Sequence, residues 1–319
     1  MSTREISYSQ AVLEALREEM KRDETVIILG ETMRNSALLG EVRLPEDRVL
    51  EMPISEQGFM GMAFGAAMTG LRPIVDLMWL QFSAVCFDEI VNEIAKEVYL
   101  GGQKVPLVIR GVSGAGFGAG SHHSESVYAW FANVPGLKVI LPSTPYDVKG
   151  LLKTAIRDDS PVICVEPLKL YSLKGQVPNE EYLIPFGVAD IKREGKDVTI
   201  VATGSMVHRA LEAASKLAKE GISVEVIDPR TIVPLDKNSI VESVKKTGRI
   251  VVVDEGPKSY GVSAEIAAVV AEEAYDSLKG PIRRVANPDT PVPCSPPIEA
   301  AVIPSEDRII KAVKEVMSS

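Results

Sequence analysis

The chain has 319 residues, of which 45% are hydrophobic and 25% charged, the composition of a globular protein with about two domains. The net charge is -9 and no basic run is present, which argues against nucleic acid and an anionic membrane surface as partners. Cys86, Cys164 and Cys294 form no CxxC pair, which argues against a disulfide framework or a zinc site. With no signal peptide or long apolar run, we expect a cytoplasmic protein.

Amphipathic stretches and short apolar runs alternate along the first half of the chain. Helical spacing predicts helices at 9–22, 57–69, 82–100 and 145–157. Short apolar runs of the kind found in buried parallel strands predict strands at 26–30, 48–52, 73–78, 105–110, 138–141 and 161–165. This alternation predicts an α/β fold, a doubly wound parallel sheet with helices on both faces.

A second α/β unit follows a polar segment, residues 166–185, which contains three prolines and no clear period. We interpret this segment as a connection between domains and expect one domain at 1–185 and another at 186–319. In the second domain the predicted strands are 198–202, 223–227, 249–253 and 282–285. The predicted helices are 206–219, 236–246, 262–274 and 305–317.

Glu56 is a lone carboxylate at the start of an apolar, glycine-rich stretch that we expect to be a buried helix, and no charge follows it until Arg72. Such a carboxylate is costly to desolvate, so it either caps the helix or serves chemistry. Glu31 follows the strand at 26–30, and Glu56 follows the strand at 48–52. Because ligands gather at the carboxyl ends of parallel strands, both acids are expected to face one crevice, although a solvent-facing acid is the other interpretation of Glu31.

A glycine-rich loop, residues 111–120, leads into His122 and His123. Residues 114–119 fit a loose dinucleotide fingerprint, but the following strand ends without the acid that would bind a ribose, which argues against an NAD enzyme. Further ligands for a metal are not visible at suitable spacing. A histidine here either caps the following helix or acts as an acid, a base or an anion binder.

An ordered series of motifs then extends along the whole chain. It includes Leu29-Gly30-Glu31, Pro53-Ile54-Ser55-Glu56, Gly70-Leu71-Arg72-Pro73, His123-Ser124, Pro142-Ser143-Thr144-Pro145, Gly204-Ser205-Met206-Val207 and Val226-Ile227-Asp228-Pro229-Arg230. The series resembles the beta subunit of the decarboxylating component of 2-oxo acid dehydrogenase complexes, a group that covers pyruvate, branched-chain 2-oxo acid and acetoin dehydrogenases. The resemblance implies a thiamine diphosphate-binding pyrimidine-type domain followed by a transketolase C-terminal-like α/β domain.

The resemblance also implies the cofactor and the partners. The family forms alpha2-beta2 heterotetramers in which the alpha subunit holds the diphosphate through Mg2+, with a Gly-Asp-Gly motif that this chain lacks. This chain would supply the pyrimidine side of thiamine diphosphate. The pair would decarboxylate a 2-oxo acid and pass the acyl group to a lipoyl arm on a dihydrolipoyl acyltransferase core, whose basic segment would bind near Asp289 and the C-terminal carboxylate.

Four site residues are carried over from the family. Glu56 would hydrogen-bond a ring nitrogen of the aminopyrimidine and favour the tautomer that removes the thiazolium proton. Its apolar surroundings favour an acid that shares its proton. Phe82 would stack on the aminopyrimidine, and His123 would orient the substrate or assist reductive acylation. Glu31 would be an acid of the crevice, linked to proton transfer between the two sites of the tetramer.

Family members also bind potassium through carbonyl groups and one Asp. The matching positions are Leu107, Ala155, Ile156, Asp158 and Ser160. This sequence departs from the family in carrying Ser160 where Asn is common and in a shorter stretch between Glu31 and Glu56.

Three alternatives stay open at this point. The chain could be the beta subunit of an acetoin dehydrogenase, or one half of a transketolase-like enzyme split over two chains. It could also be a scaffold subunit that has lost its chemistry, although the presence of Glu56, Phe82 and His123 argues against that. The sequence does not identify the 2-oxo acid.

Overall fold

The computed structural model describes residues 2–31 and 44–318, which divide into two compact units. Unit 1 comprises residues up to 113 together with 130–186, and unit 2 comprises 114–129 together with residues from 187 onward. The segment 114–129, which contains both histidines of the glycine loop, therefore groups with the second half of the sequence. The linear boundary between 185 and 186 stays a prediction.

The strands are β1 (Thr3–Ser7), β2 (Val26–Gly30), β3 (Val49–Glu51), β4 (Arg72–Trp79), β5 (Val108–Ser113), β6 (Lys138–Ile140), β7 (Val162–Pro167), β8 (Lys174–Pro178), β9 (Asp190–Arg193), β10 (Val198–Ala202), β11 (Val224–Asp228), β12 (Thr231–Val233), β13 (Ile250–Pro257) and β14 (Arg283–Asn287). The α-helices are α1 (Tyr8–Arg22), α2 (Glu56–Met68), α3 (Ala95–Leu100), α4 (Ser121–Ser124), α5 (Tyr128–Ala132), α6 (Pro145–Arg157), α7 (Met206–Ala218), α8 (Lys237–Thr247), α9 (Val262–Glu273), α10 (Pro296–Val302) and α11 (Glu306–Met317). Within the described residues, no helix is both long enough and apolar enough to cross a membrane.

Six strands of unit 1 lie side by side in the order β6, β7, β5, β4, β2, β3, and every neighbouring pair is parallel. This is the predicted parallel sheet, and its carboxyl edge receives the segments that carry Glu31, Glu56 and Phe82. Helices α1 and α6 pack together, and their apolar faces fill the core with residues such as Val12, Leu16, Val148 and Leu152.

Both helices begin at clear sequence signals. Ser7 Oγ accepts a hydrogen bond from the backbone N–H of Gln10, and the Gln10 side chain accepts one from the Ser7 N–H, which forms a capping box at α1. At α6, Thr144 caps the helix by accepting from the Asp147 N–H, and Pro145 takes the first helical position. These caps explain why both boundaries lie close to the prediction.

A separate antiparallel pair, β1 with β8, was not predicted. Both strands have five residues, and only Ile6 and Val177 are buried in them. With a single buried side chain each, the strands show almost no alternation of polar and apolar residues, which is the signal a strand prediction needs. The segment 166–185 is thus partly ordered as a strand of unit 1.

The helix predicted at 82–100 is not a regular α-helix. The structure has a 3-10 turn at Leu80–Cys86, a π-helical turn at Glu89–Ile94, and only then α3. Buried Ile90 and Ile94 keep a helical spacing through the π turn, so the sequence period hides the change in hydrogen bonding. Such π turns are frequent at functional sites.

Unit 2 contains a five-stranded sheet in the order β14, β13, β10, β11, β9, in which only β9 is antiparallel to its neighbour. Helix α7 packs with α11 and helix α8 with α9, and all four contact the strands. Buried aliphatic side chains, among them Val226, Val251 and Ile309, form its core. The polar edge strand β9 was not predicted, whereas the four parallel strands were.

Candidate active site

Glu56 is the first residue of α2 and is only 8% exposed. A carboxylate at a helix N-terminus is favoured by the helix dipole. The sequence predicts that this helix is buried, but only one face of it is. Phe59, Met60, Ala63 and Ala67 face the protein, whereas a glycine-rich face is exposed. Glu56 therefore sits at the edge between the core and an uncovered helix face.

The structure brings Glu31 and Glu56 together. Burial raises the pKa of Glu31, and the negative charge of Glu56 and a hydrogen bond between the two carboxyl groups raise it further. The raised pKa means that Glu31 holds its proton to a higher pH than an isolated glutamate does. Glu31 Oε1 is buried and has no hydrogen-bond partner among the described residues.

Two further groups lie around this pair and were missed by the sequence analysis. Burial, with the charges of Glu89 and Glu56, raises the pKa of the Cys86 thiol to about 12, so it stays protonated at neutral pH. Glu89 opens the π-helical turn, and its Oε2 atom is buried without a hydrogen-bond partner in the described part of the chain. The sequence predicts an ordinary helix around Glu89, and nothing in the pattern separates this acid from the exposed acids of that helix. Its position becomes clear only from the π-helical turn in the structure.

Phe82 is half-buried on the 3-10 turn Leu80–Cys86, which packs against α2. The start of this turn crosses β5 at Gly111. A Cβ atom on Gly111 would lie 3.0 Å from the Leu80 nitrogen and 3.1 Å from the Leu80 Cα, closer than ordinary van der Waals contact. Glycine at 111 therefore lets the backbone that carries Phe82 approach the sheet closely, and any larger residue would press against Leu80.

A buried ionic network supports the same turn. Arg110 is 1% exposed and donates to Glu166 through Nε at 2.7 Å and Nη2 at 2.8 Å, and it also donates to Asp76. Burial opposes its charge, but Asp76 and Glu166 raise the pKa of Arg110 well above its ordinary value. The other oxygen of Asp76 accepts the Met78 N–H at 2.8 Å, which supports the positive φ of Met78 just before the turn.

His123 belongs to unit 2. It lies half-buried in the short helix α4, where its backbone N–H donates to the Gly120 carbonyl at 3.2 Å. The neighbouring His122 is exposed. Of the four predicted site residues, Glu31, Glu56 and Phe82 lie in unit 1 and His123 in unit 2.

The predicted potassium positions lie around the end of α6 in unit 1. The Ile156 and Asp158 carbonyls accept hydrogen bonds from Arg72 at 3.0 and 2.9 Å, and the Leu107 carbonyl accepts one from Val162. The Asp158 carboxylate is paired with Lys138 at 2.7 Å. Each carbonyl keeps a second lone pair, but two of them already serve a guanidinium. In the described residues, no group of three or more His, Cys, Asp or Glu side chains is placed to hold a metal ion.

Comparison with known families assigns both halves of the chain. Residues 4–174 match the transketolase pyrimidine-binding domain, and residues 187–309 match the transketolase C-terminal domain. A solved structure described as a split gene transketolase, inactive beta4 tetramer, superposes with a TM-score of 0.82 at 25% identity and covers 98% of both chains. The predicted fold class is confirmed.

Named relatives match nearly the whole chain. The acetoin:2,6-dichlorophenolindophenol oxidoreductase subunit beta of Cupriavidus necator is 48% identical, the pyruvate dehydrogenase E1 component subunit beta of Rickettsia felis 45%, and the 2-oxoisovalerate dehydrogenase subunit beta of Bacillus subtilis 41%, each over 98% of both chains. The resemblance inferred from the motifs is confirmed. The chain therefore belongs to the family of E1-type beta subunits of 2-oxo acid and acetoin dehydrogenases, built from a transketolase pyrimidine-binding domain and a transketolase C-terminal domain.

Proposed function

We propose that this chain is the beta subunit of a thiamine diphosphate-dependent 2-oxo acid dehydrogenase complex. With an alpha subunit it decarboxylates pyruvate or a branched-chain 2-oxo acid oxidatively and transfers the acyl group to a lipoyl group. The observation that carries the proposal is the pair of neighbouring carboxyl groups formed by Glu31, which follows β2, and Glu56, the first residue of α2, inside a domain that matches pyrimidine-binding domains.

The residues around the pair fit the aminopyrimidine half of the cofactor. Glu31 Oε1 is a buried acceptor that lacks a partner among the described residues, and Glu56 is nearly buried at a helix N-terminus. The preceding Ile54 is 85% exposed, so an apolar side chain beside the pair is available to a ligand or a partner chain. A ring that offers both polar nitrogens and an apolar face matches these groups, and Phe82 would supply the aromatic contact.

The chain's own residues would handle a proton. When bound, thiamine diphosphate supplies the electron sink for cleaving the bond next to a 2-oxo group. Glu56 would bind a pyrimidine nitrogen and exchange a proton with it, and Glu31, whose pKa is raised beside Glu56, would keep its own proton to a higher pH than an isolated glutamate. Phe82 would hold the ring in place, supported by the crossing at Gly111 and by Asp76, Arg110 and Glu166. In unit 2, His123 would orient the substrate or assist the transfer to the lipoyl group.

Several exposed apolar surfaces support a heterotetramer. Met62 on the glycine-rich face of α2 is 42% exposed, and in the same unit Tyr99, Leu100 and Trp130 are 91, 71 and 42% exposed. Exposed apolar groups of this extent are typical of chains that bury them against a partner. The alpha subunit would cover α2 and hold Mg2+ with the diphosphate. A lipoyl-bearing acyltransferase would dock through a basic segment near Asp289, an exposed carboxylate held by Ser259.

Acetoin is a second candidate substrate, because the relative at 48% identity is named for acetoin and the pyruvate and 2-oxoisovalerate relatives have 45 and 41% identity. A split transketolase has weaker support, since the solved structure with that description is 25% identical. A scaffold role does not explain why two carboxyl groups lie together at the carboxyl edge of the sheet, with the pKa of Glu31 raised.

The deciding experiment is reconstitution with the cognate alpha subunit. The heterotetramer, with thiamine diphosphate and Mg2+, is assayed on pyruvate, branched-chain 2-oxo acids, acetoin and a ketose phosphate, with an artificial electron acceptor and then with a lipoylated acyltransferase domain. We expect turnover of a 2-oxo acid by the pair and none by the beta chain alone. Decarboxylation by the single chain would refute the shared site, and turnover of the ketose phosphate alone would favour the split transketolase.

A further inference from the structure

The glycine loop of unit 2 has the form of an anion-binding loop, but its amides already have an anion. The backbone N–H groups of Gly116 and Gly118 donate to Glu299 Oε1 and Oε2 at 2.8 and 3.0 Å, so one carboxylate binds the loop through both oxygens. The N–H of Ala115 donates to Glu255 Oε1 at 2.5 Å. Successive N–H groups in such a loop normally favour a phosphate or another external anion.

Both carboxylates are buried, with Glu299 3% and Glu255 6% exposed. Glu299 has no ion-pair partner in the described chain, so the two loop amides are the groups that compensate its charge. A buried carboxylate is costly unless hydrogen bonds satisfy it, and hydrogen bonds to a charged acceptor are stronger than neutral ones. The loop and Glu299 therefore depend on each other.

The glycines of the loop are explained by this contact. Gly114 has φ +99°, and a Cβ atom there would lie 3.0 Å from Glu255 Oε1. Gly118 has φ +66°, and a Cβ atom there would lie 3.1 Å from the Cys294 carbonyl oxygen, in the segment that leads into α10 and Glu299. The glycines that resemble a dinucleotide fingerprint thus leave room for the Glu255 carboxylate and for the backbone of Cys294 to approach the loop.

The loop ends where the candidate catalytic histidine begins. Helix α4 follows Gly120 directly, and the backbone N–H of His123 donates to the Gly120 carbonyl. Four residues separate His123 from Gly118, one of the amides bound by Glu299. A loop of glycines has little intrinsic rigidity, so its fixed backbone has to come from outside contacts.

We propose that Glu299 is a positioning residue: its carboxylate occupies the anion-binding glycine loop and fixes the backbone from which His123 projects. The proposal rests on the proposed function, because His123 matters for turnover only if the chain contributes to the decarboxylating site. Glu255 holds the other end of the loop and is itself held by Ser205, which donates to its second oxygen. The amides of Ala115, Gly116 and Gly118 are therefore already bound by carboxylates and do not face a nucleotide phosphate.

The test uses the full heterotetramer with the variant Glu299→Gln, which keeps the size but turns one acceptor oxygen into a donor. The matched control is Glu272→Gln, an exposed position of α9 with the same charge change. Hydrogen exchange of the Gly116 and Gly118 amides reports on the loop without any turnover. We expect exchange to accelerate at least about tenfold in Glu299→Gln, because the lost bonds are charge-assisted, and to stay unchanged in the control.

Kinetics then separate positioning from simple folding support. We expect Glu299→Gln to lower kcat by about tenfold or more while the KM for thiamine diphosphate stays the same, and Glu299→Asp, which keeps the charge, to recover part of the loss. In a His123→Ala background the Glu299→Gln change should cause no further loss, because its effect acts through His123. If the amide variant does not assemble, the Glu299→Asp variant carries the same measurements.

Unchanged amide exchange in Glu299→Gln would show that the Glu299 carboxylate does not hold the glycine loop. Faster exchange with wild-type kcat, or a full additional loss on top of His123→Ala, would overturn the positioning role. If the wild-type heterotetramer turns over none of the substrates, the proposed function and the positioning role both fail, whereas the exchange rates still decide whether Glu299 holds the loop.

Discussion

Replacing Gly111 by alanine would place a methyl group against the backbone that carries Phe82. The added Cβ would lie 3.0 Å from the Leu80 nitrogen, 3.1 Å from its Cα and 3.3 Å from its Cβ. The first two are backbone atoms, which cannot rotate away as the end of a side chain could. Carbon atoms pack best at about 3.5–4.0 Å, so the Leu80 backbone would have to move by a few tenths of an ångström.

The cost follows from this overlap. Overpacking of a close-packed interior typically costs about 1–3 kcal/mol. For a unit of this size, each kcal/mol lowers the melting temperature by about 2–4 °C, so Gly111→Ala should lower the unfolding transition of unit 1 by about 2–12 °C. Displacement of Phe82 would weaken an aromatic contact of about 0.5–1.5 kcal/mol, which corresponds to an increase of about 2- to 10-fold in the KM for thiamine diphosphate.

The assay compares Gly111→Ala with Gly61→Ala. A Cβ on Gly61 meets nothing within 4 Å, and the residue lies on the exposed face of α2. Alanine there should stabilise the chain by about 0.5–1 kcal/mol, because glycine is the poorer helix former. Calorimetry on the isolated beta chain keeps any partner from covering that face. If Gly111→Ala melted at or above the wild-type temperature with an unchanged cofactor KM, the reasoning about the crossing at Leu80 would be refuted.

Three further predictions concern the site. Glu56→Gln should leave heterotetramer assembly intact and slow exchange of the thiazolium-carbon proton of bound thiamine diphosphate by about 100-fold or more, the usual worth of a positioned acid or base; exchange at the wild-type rate would exclude the role of Glu56. Glu31→Gln should gain stability relative to the wild type as the pH rises. Because the folded-state pKa of Glu31 is raised, its contribution to stability is fully present below its unfolded pKa and is lost as the pH passes through the folded pKa. Urea midpoints of the two proteins should therefore agree below about pH 4 and diverge by about pH 8, and parallel curves would contradict the pairing of Glu31 with Glu56. Potassium at the Asp158 site should raise the melting temperature of unit 1 above that in choline salt of equal ionic strength, and identical melting in both salts would remove potassium from the proposal.

The parallel sheets could be predicted because their strands carry the signal themselves. Short, mostly apolar runs such as Val26–Gly30 and Val198–Ala202 are almost entirely buried, which is typical of parallel strands covered on both faces. Strands with a single buried side chain, β1 and β8, gave no such signal, since what orders them is their pairing with each other. The π turn at Glu89 stayed hidden for a related reason, because α and π turns share the spacing of buried residues.

The site was predictable in part. Glu56 was identifiable from its apolar surroundings and Glu31 from its place after a buried strand, and the position of both at the end of strands in one parallel sheet suggested that they meet. The hydrogen bonds from the glycine loop to Glu299 were not predictable, because they join residues more than 180 positions apart and the local sequence carries no trace of such a contact. The glycine loop shows the same limit: its spacing was visible, but the internal carboxylates that occupy its amides were not.

The distribution of the three thiols has a practical consequence. Cys86 and Cys164 are buried, and burial raises the pKa of both, whereas Cys294 is exposed in the segment that approaches Gly118. Alkylating reagents require an accessible thiolate, so they should modify the unaltered chain at one position. A fluorophore or spin label attached at Cys294 would then lie beside the glycine loop. It would report on binding of a partner protein and on motion of the loop without any engineered cysteine.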